Sequence, residues 1–476
     1  MHRKDVIWTV LIVTIVTLGV QGFAARKTDY YQDFETLATV FEKVRENYVV
    51  DVDDKQLFEG ALRGALLNLD RYSSYISPED LEDFKTQTKG EFQGLGIELG
   101  TRNGWLTVIA PIEDTPAWRA GIRAGDRIVK IEGKSTERLT VENAVKVLRG
   151  KKGTSVNISV RHEGERKDVD LSITRDVIPL LSVRGYKRSD AQGRWDYFVD
   201  PADKIGYVRI SAFQENTLQD LDKAIGEMQE QGMKGLVLDL RFNPGGLLST
   251  AVGVSDRLVS EGIIVSTRGR AVESVAYKAH KAGTYPDFPL AVLVNNWSAS
   301  ASEIVAGCVQ DHHRGILVGE KSFGKGSVQN VIPLQGGKSA LKLTTARYYT
   351  PSGRSIHREE GSDVGGLTPD ILIETDVETK VKIQQLWQKL GTPPSPEVKK
   401  PEGDVKIDTP RPDAADDEEM PLPDETKVAK PEEKPFIDEQ LHRAVDAVKA
   451  LLVMKTPPPP DALGPEPKAA AKEPGA

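Results

Sequence analysis

The rhythm of apolar and polar positions changes repeatedly along the chain, and each change marks a new kind of structure. An uncharged stretch, VIWTVLIVTIVTLGVQGFAA over residues 6–25, follows His2, Arg3 and Lys4. A basic start before about twenty apolar residues predicts a signal peptide or an N-terminal membrane anchor, and either exports the rest. Gly22 and Ala24 offer small residues for cleavage, whereas the length suits a bilayer span and leans toward an uncleaved anchor. From 30 to 88 apolar residues recur at helical spacing. Phe34, Leu37, Val40, Phe41 and Val44 share a face, and KQLFEGALRGALLNL repeats the pattern. Pro78, after a Ser77 cap, opens a further helix.

Between 90 and 175 the period shortens to strands, GLGIELG, WLTVIA, AGDRIVKIEG, SVNISVR and KDVDLSI, with one helix, TVENAVKVLRG. From 176 strands and helices alternate. KIGYVRI precedes LQDLDKAIGEMQEQG, and GLVLDLRFNPGG ends in a Pro-Gly-Gly turn before LLSTAVGVSDRLVSEG. LAVLVN (290–295) runs into the serine-rich NWSASASE (296–303) and then a helix with Ala301, Ile304, Val305, Cys308 and Val309 on one side. GILVGE (315–320) leads into SFGKGSVQ (322–329), and two strands flank QGGKS. This alternation predicts an α/β core. Residues 393–435 have no period, and acidic residues outnumber basic ones 13 to 7, as in a flexible linker. Ile437, Leu441, Ala444, Val445, Val448 and Leu452 predict an amphipathic helix over 436–455, which PPPP (457–460) stops. The expected organisation is a leader (1–26), a helical segment (27–89), a β-rich domain (90–175), an α/β core (176–390), a linker (391–435), a helix (436–455) and a disordered tail (456–476).

Composition narrows the possibilities. A net charge of −8 without a basic stripe argues against a nucleic-acid partner. The one cysteine, Cys308, forbids an internal disulfide and reads as core packing. Seven scattered histidines, with neither CxxC nor HExxH, predict no metal site, and no cofactor motif appears.

The chemistry concentrates where LAVLVN turns into a helix. A serine there meets outward-pointing helix amides that stabilise negative charge. Lys325 sits between two glycines just beyond the next strand. SASASE followed by FGKG-x-VQ resembles the C-terminal processing peptidases, or tail-specific proteases, over roughly residues 30–375. The resemblance implies Ser300 as nucleophile, Lys325 as general base and Gln329 as its support. It implies an oxyanion hole from the Ala301 amide and one of Gly245 and Gly246, with a slight preference for Gly246. It also implies a layered core like those of crotonase and the Clp peptidase, and a terminal helix packed on the protease body or a partner subunit. The chemistry agrees, because a serine hydroxyl needs a base and burial can make a lysine neutral.

AGIRAGDRIVKIEG and the order of strands 90–175 resemble a PDZ domain inserted in the protease. Gly94, Leu95, Gly96 and Ile97 then match the loop whose amides hold a peptide's terminal carboxylate, beside a strand that a peptide can extend. The expectation is an exported serine endopeptidase, in the periplasm or cell envelope, that cleaves proteins with apolar C-termini and forms a possible homo-oligomer. A catalytically inactive PDZ scaffold or holdase is the alternative. A Ser/His/Asp site using His312 or His313 lacks a Gly-x-Ser-x-Gly elbow, and acyl-CoA chemistry rests on layering alone.

Overall fold

A computed structural model describes residues 31–391 and 436–455, except 103, 113–114, 124, 163, 190–193 and 360. The expected leader, acidic linker and C-terminal tail lie outside the described residues. Among the described residues no helix is long and apolar enough to cross a membrane. The chain divides into two units, Met1–Leu81 with Gln329–Thr344, and Glu82–Val328 with Thr345–Ala476.

In the first unit, helices run over 31–47 and Asp54–Leu67. Asp53 caps the second by accepting the Lys55 and Gln56 N–H groups at 2.8 and 3.2 Å. Asp70 then folds the chain back by accepting the Tyr72 and Ser73 amides at 2.7 and 2.8 Å. Strand Ser74–Ile76 follows and pairs antiparallel with Ala340–Lys342.

In the second unit a sheet of parallel strands runs Ile205–Ile210, Gly235–Asp239, Leu290–Val294, Ile316–Gly319 and Ile371–Leu372. Its residues alternate between two apolar cores, as a period of two requires. Leu236, Leu238, Leu290, Val292 and Leu317 pack with helices Thr217–Glu230, Leu248–Leu258 and Ala301–Asp311. Val237, Ala291, Leu293 and Val318 pack with Leu441, Ala444 and Val448 of the helix Glu439–Lys455. The terminal amphipathic helix therefore covers the second face of the parallel sheet. Both faces buried is what near-continuous apolar strands demand. A second sheet pairs Ile263–Arg268 with Val275–Lys278 and with Arg347–Tyr349.

Strands from Ile97 to Thr174 form a separate six-stranded sheet around Leu106, Ile128, Val156 and Ile158, with helix Val141–Leu148. The chain enters and leaves it through one antiparallel pair, Glu91–Gly94 against Asp176–Pro179.

Candidate active site

The serine turn owes its shape to strain. Strand Leu290–Val294 ends at Asn295, and the chain turns into helix Ala301–Asp311 through Ser300 at φ 57° and ψ −112°. A non-glycine residue there costs about 1–3 kcal/mol and persists only where its surroundings over-determine it. This is a strand-to-helix elbow of the kind that can present a nucleophile, built with alanines where the Gly-x-Ser-x-Gly form has glycines. The neighbouring serines hold it. Ser298 is fully buried; its hydroxyl donates to the Leu240 carbonyl at 2.8 Å and accepts the Asn295 N–H at 2.9 Å. The buried Ser302 hydroxyl donates to the Asn243 carbonyl at 3.0 Å. Of the three alternating serines, only Ser300 is accessible, half-buried at the apex.

The Pro-Gly-Gly turn lies directly against it. A Cβ on Gly245 would sit 2.8 Å from Ser300 Cβ and 2.9 Å from the Ala301 nitrogen. Gly245 and Gly246 adopt φ values of 101° and 148°, which side chains disfavour. Asn243, itself buried, accepts the Gly245 N–H on Oδ1 at 2.9 Å and donates Nδ2 to the Ile210 carbonyl at 2.7 Å. The Gly245 amide is therefore occupied. Among the described residues neither the Gly246 nor the Ala301 N–H has a hydrogen-bond partner.

The lysine loop is tied to the serine turn by a residue the sequence reading did not single out. Glu303 is 0% exposed, one turn into the helix. Its Oε2 accepts the Ser300 and Lys325 N–H groups, both at 2.8 Å. Its Oε1 accepts the Ser322 hydroxyl at 2.5 Å and the Gly324 N–H at 2.6 Å. One carboxylate thus fixes the backbone of Ser300 and of Lys325 together. Burial pushes the Glu303 carboxyl above the usual range, against the pull of its four donors. The Phe323 N–H adds a bond to the Ser298 carbonyl at 3.0 Å. Lys325 is half-buried. Gln329 belongs to the first unit, where its side-chain amide donates to the Thr344 hydroxyl at 3.3 Å.

Two other groups stand apart from this chemistry. His312 and His313 follow the far end of the helix that Ser300 begins, eleven residues or about 16 Å away. His312 Nε2 lies 2.8 Å from the Ile263 carbonyl. A Ser/His/Asp site built on this pair is ruled out by that distance. Cys308 is buried, and burial pushes its thiol up to about 12.

In the inserted domain, Gly94 to Ile97 forms the turn into strand Ile97–Arg102. The Leu95 and Gly96 carbonyls turn inward, accepting the Ala117 and Ile112 N–H groups at 2.9 and 2.8 Å. Gly96, at φ 80°, lies so close to Thr115 that a Cβ would come within 2.3 Å of it. Strand Ile97–Arg102 ends the sheet order, so its outer edge is unpaired within that sheet, and helix Val141–Leu148 packs beside it.

Comparison with known proteins identifies the family. Residues 204–373 match the model of peptidase family S41, and residues 107–162 match a PDZ domain. Residues 16–80 match the activating protease CtpB N-terminal domain. The carboxy-terminal-processing protease of Bartonella bacilliformis is 45% identical over 357 residues, covering 74% of this chain and 77% of that protein. The carboxy-terminal processing protease CtpA of Bacillus subtilis is 32% identical over 376 residues, covering 78% of this chain and 76% of that one. The structure of a photosystem II D1 C-terminal processing protease is 28% identical, covers 75% of this chain and 96% of that one, and has a TM-score of 0.38. The chain belongs to the carboxy-terminal processing proteases of peptidase family S41, serine-type peptidases that here carry a PDZ domain.

Proposed function

We propose that this protein is an exported endopeptidase that captures the C-terminal tails of proteins on its PDZ domain and cleaves them with a Ser300–Lys325 dyad. The observation that carries the catalytic half is the Glu303 carboxylate, which accepts the backbone N–H of both residues on one oxygen. Neutral Lys325 takes the proton from Ser300 Oγ as the oxygen attacks the scissile carbonyl. The developing oxyanion accepts from the Gly246 and Ala301 N–H groups, two amides with no other partner among the described residues. Commitment of the Gly245 amide to Asn243 favours Gly246 over Gly245. The lysine ammonium then protonates the leaving amine, and the bond between carbonyl carbon and nitrogen breaks. Water, giving its proton to Lys325, attacks the acyl-serine; the bond from the carbonyl carbon to Ser300 Oγ breaks, Oγ takes the proton from Lys325, and the new C-terminus is released. Gln329 is the supporting residue that the family resemblance implies for the lysine.

The unpaired edge of Ile97–Arg102 supports strand addition by a peptide, with its carboxylate on the outward amides of Gly94 to Ile97 and an apolar terminal residue beside Leu95 and Ile97. The helix Pro78–Lys89, which leads into the domain, also reaches the catalytic body. The Glu215 N–H donates to the Thr88 carbonyl at 3.2 Å, and Gln214 Nε2 to the Gln87 carbonyl at 3.1 Å. The adjacent Phe213 N–H donates to the Gly245 carbonyl at 2.9 Å. Tail binding thus has a path to the oxyanion turn.

The apolar 6–25 segment supports attachment to the membrane, with the protease in the cell envelope. The N-terminal helices support a homo-oligomer. Phe34, Leu37 and Phe58 are exposed, around a cavity of about 860 Å³ flanked by both signs of charge, Glu42, Arg45, Glu46 and Asp54. Such a face suits a second copy of itself.

The test of the function is a pair of peptides identical except for a terminal acid or amide. The intact enzyme cleaves the acid faster, and Gly96→Val, which fills the loop, removes the preference. Equal cleavage of acid and amide by the intact enzyme would reject terminal recognition.

A further inference from the structure

The strand that ends in the Pro-Gly-Gly turn is held at its tip by a buried ion network whose outer half comes from the far end of the chain. Arg241 is fully buried, and every N–H of its guanidinium is used. Nε donates to both Asp239 oxygens at 3.1 Å, and Nη2 donates to Asp239 at 2.7 Å and to Asp438 at 2.8 Å. Nη1 donates to Asp438 at 2.9 Å and to Gln440 at 3.1 Å. Asp239 also accepts the Tyr207 hydroxyl at 2.8 Å and the Arg241 N–H at 2.9 Å. Gln440 in turn donates to the Ile373 carbonyl at 2.8 Å. Asp438 and Gln440 stand at the start of the helix Glu439–Lys455, which covers the second face of the sheet.

What this network holds is the approach to the active site. Directly after Arg241 comes Phe242 at φ 58°, a strained conformation for an aromatic residue. Its N–H donates to Asn295 Oδ1 at 2.9 Å. Asn243 comes next, the residue that fixes the Gly245 amide and receives Ser302. A strained backbone keeps its shape only while its ends are pinned. The Arg241 fork pins one end, and half of its hydrogen bonds go to Asp438 and Gln440 at the start of the terminal helix. A buried guanidinium that loses one carboxylate is left with unmatched charge and donors, so the fork does not simply relax in place.

We propose that Asp438 is a positioning residue for catalysis: through Arg241 it fixes the turn that presents Gly246, so that the terminal helix completes the active site. This rests on the reading of Gly246 and Ala301 as oxyanion donors. The helix is thereby a catalytic requirement in addition to a cover for the sheet, although its own residues stay away from the substrate.

The test uses the full chain with Asp438→Asn. Asp438 also caps the helix, its Oδ1 accepting the Leu441 N–H at 3.1 Å, and asparagine caps equally well. The substitution therefore removes the charge and keeps the helix start. Rates are expressed per folded enzyme, and the affinity of a peptide boronate, which bonds to Ser300 and fills the oxyanion site, is measured alongside. The expected result is a fall in kcat of tenfold or more at unchanged KM, with boronate affinity falling by a similar factor. Gln440→Leu, which removes one acceptor of the fork, shows the same pattern to a smaller extent, and decides the matter if Asp438→Asn does not fold. An unchanged kcat and boronate affinity per folded molecule, or a loss confined to KM, would overturn the proposal. A wild-type enzyme that does not bind the boronate at Ser300 would instead overturn the reading of the active site, and the proposal with it.

Discussion

Glu303→Gln is the substitution that most clearly separates this account from a plain helix cap. The carboxylate offers two oxygens to four donors: Ser300 and Lys325 on one, Ser322 and Gly324 on the other. Glutamine has the same size but one acceptor oxygen, and its NH2 faces whichever pair is left. Two buried donors then lose their partner, at about 1–3 kcal/mol each, or about 2–6 kcal/mol together. That is a large share of the roughly 5–15 kcal/mol that stabilises a typical domain. Activity falls as well, because the amide can no longer hold both the Ser300–Lys325 pair and the lysine loop. A misplacement of about 1 Å at reacting groups costs on the order of 100-fold. Urea denaturation gives the stability, and peptide hydrolysis per folded enzyme gives the rate. A variant that loses less than about 1 kcal/mol and keeps its rate within about twofold would refute the tie.

The flanking serines separate support from chemistry. Ser298→Ala strands the buried Asn295 N–H and lowers stability by about 1–3 kcal/mol, whereas Ser302→Ala costs about 0.5–1.5 kcal/mol, since the Asn243 carbonyl still accepts the Ala299 N–H. Both are read by urea denaturation and keep measurable hydrolysis, while Ser300→Ala keeps stability and loses hydrolysis. Glu320 carries a pH signature: burial opposes ionisation, but bonds from Thr375 and Lys380 outweigh it and hold the carboxyl below the usual range. Its stabilisation is therefore present above the unfolded-state pKa and is lost as pH falls through the lower folded value. The stability gap between wild type and Glu320→Gln should shrink on acidification below about pH 4.

Ser300 and Lys325, the proposed nucleophile and base, stand out in the sequence because they lie in short, dense motifs whose order is itself informative. Ser300's positive φ was not, since its alanine neighbours give no glycine signal for an elbow. Glu303 stood in the same SASASE run, but no spacing distinguishes it from an ordinary first-turn carboxylate. Its role exists only once the Ser322–Lys325 loop folds onto it. The slight preference for Gly246 over Gly245 was already there in the sequence, but its physical reason, the direction in which Asn243 Oδ1 points, was not. The terminal helix was plain from its apolar period, whereas the family resemblance left open whether it packs on the protease body or on a partner subunit. Its link to Arg241 was not, because the two partners lie 197 residues apart and nothing local marks either one.

The central claim, a serine on an elbow activated by a lysine from the neighbouring loop, is tested most directly by the rate at which a fluorophosphonate labels the enzyme. The label should map to Ser300 alone, form faster as pH rises and Lys325 loses its proton, and form at least about 100-fold more slowly in Lys325→Ala. Labelling of Lys325→Ala at the wild-type rate, or a label that maps to another serine, would contradict the account.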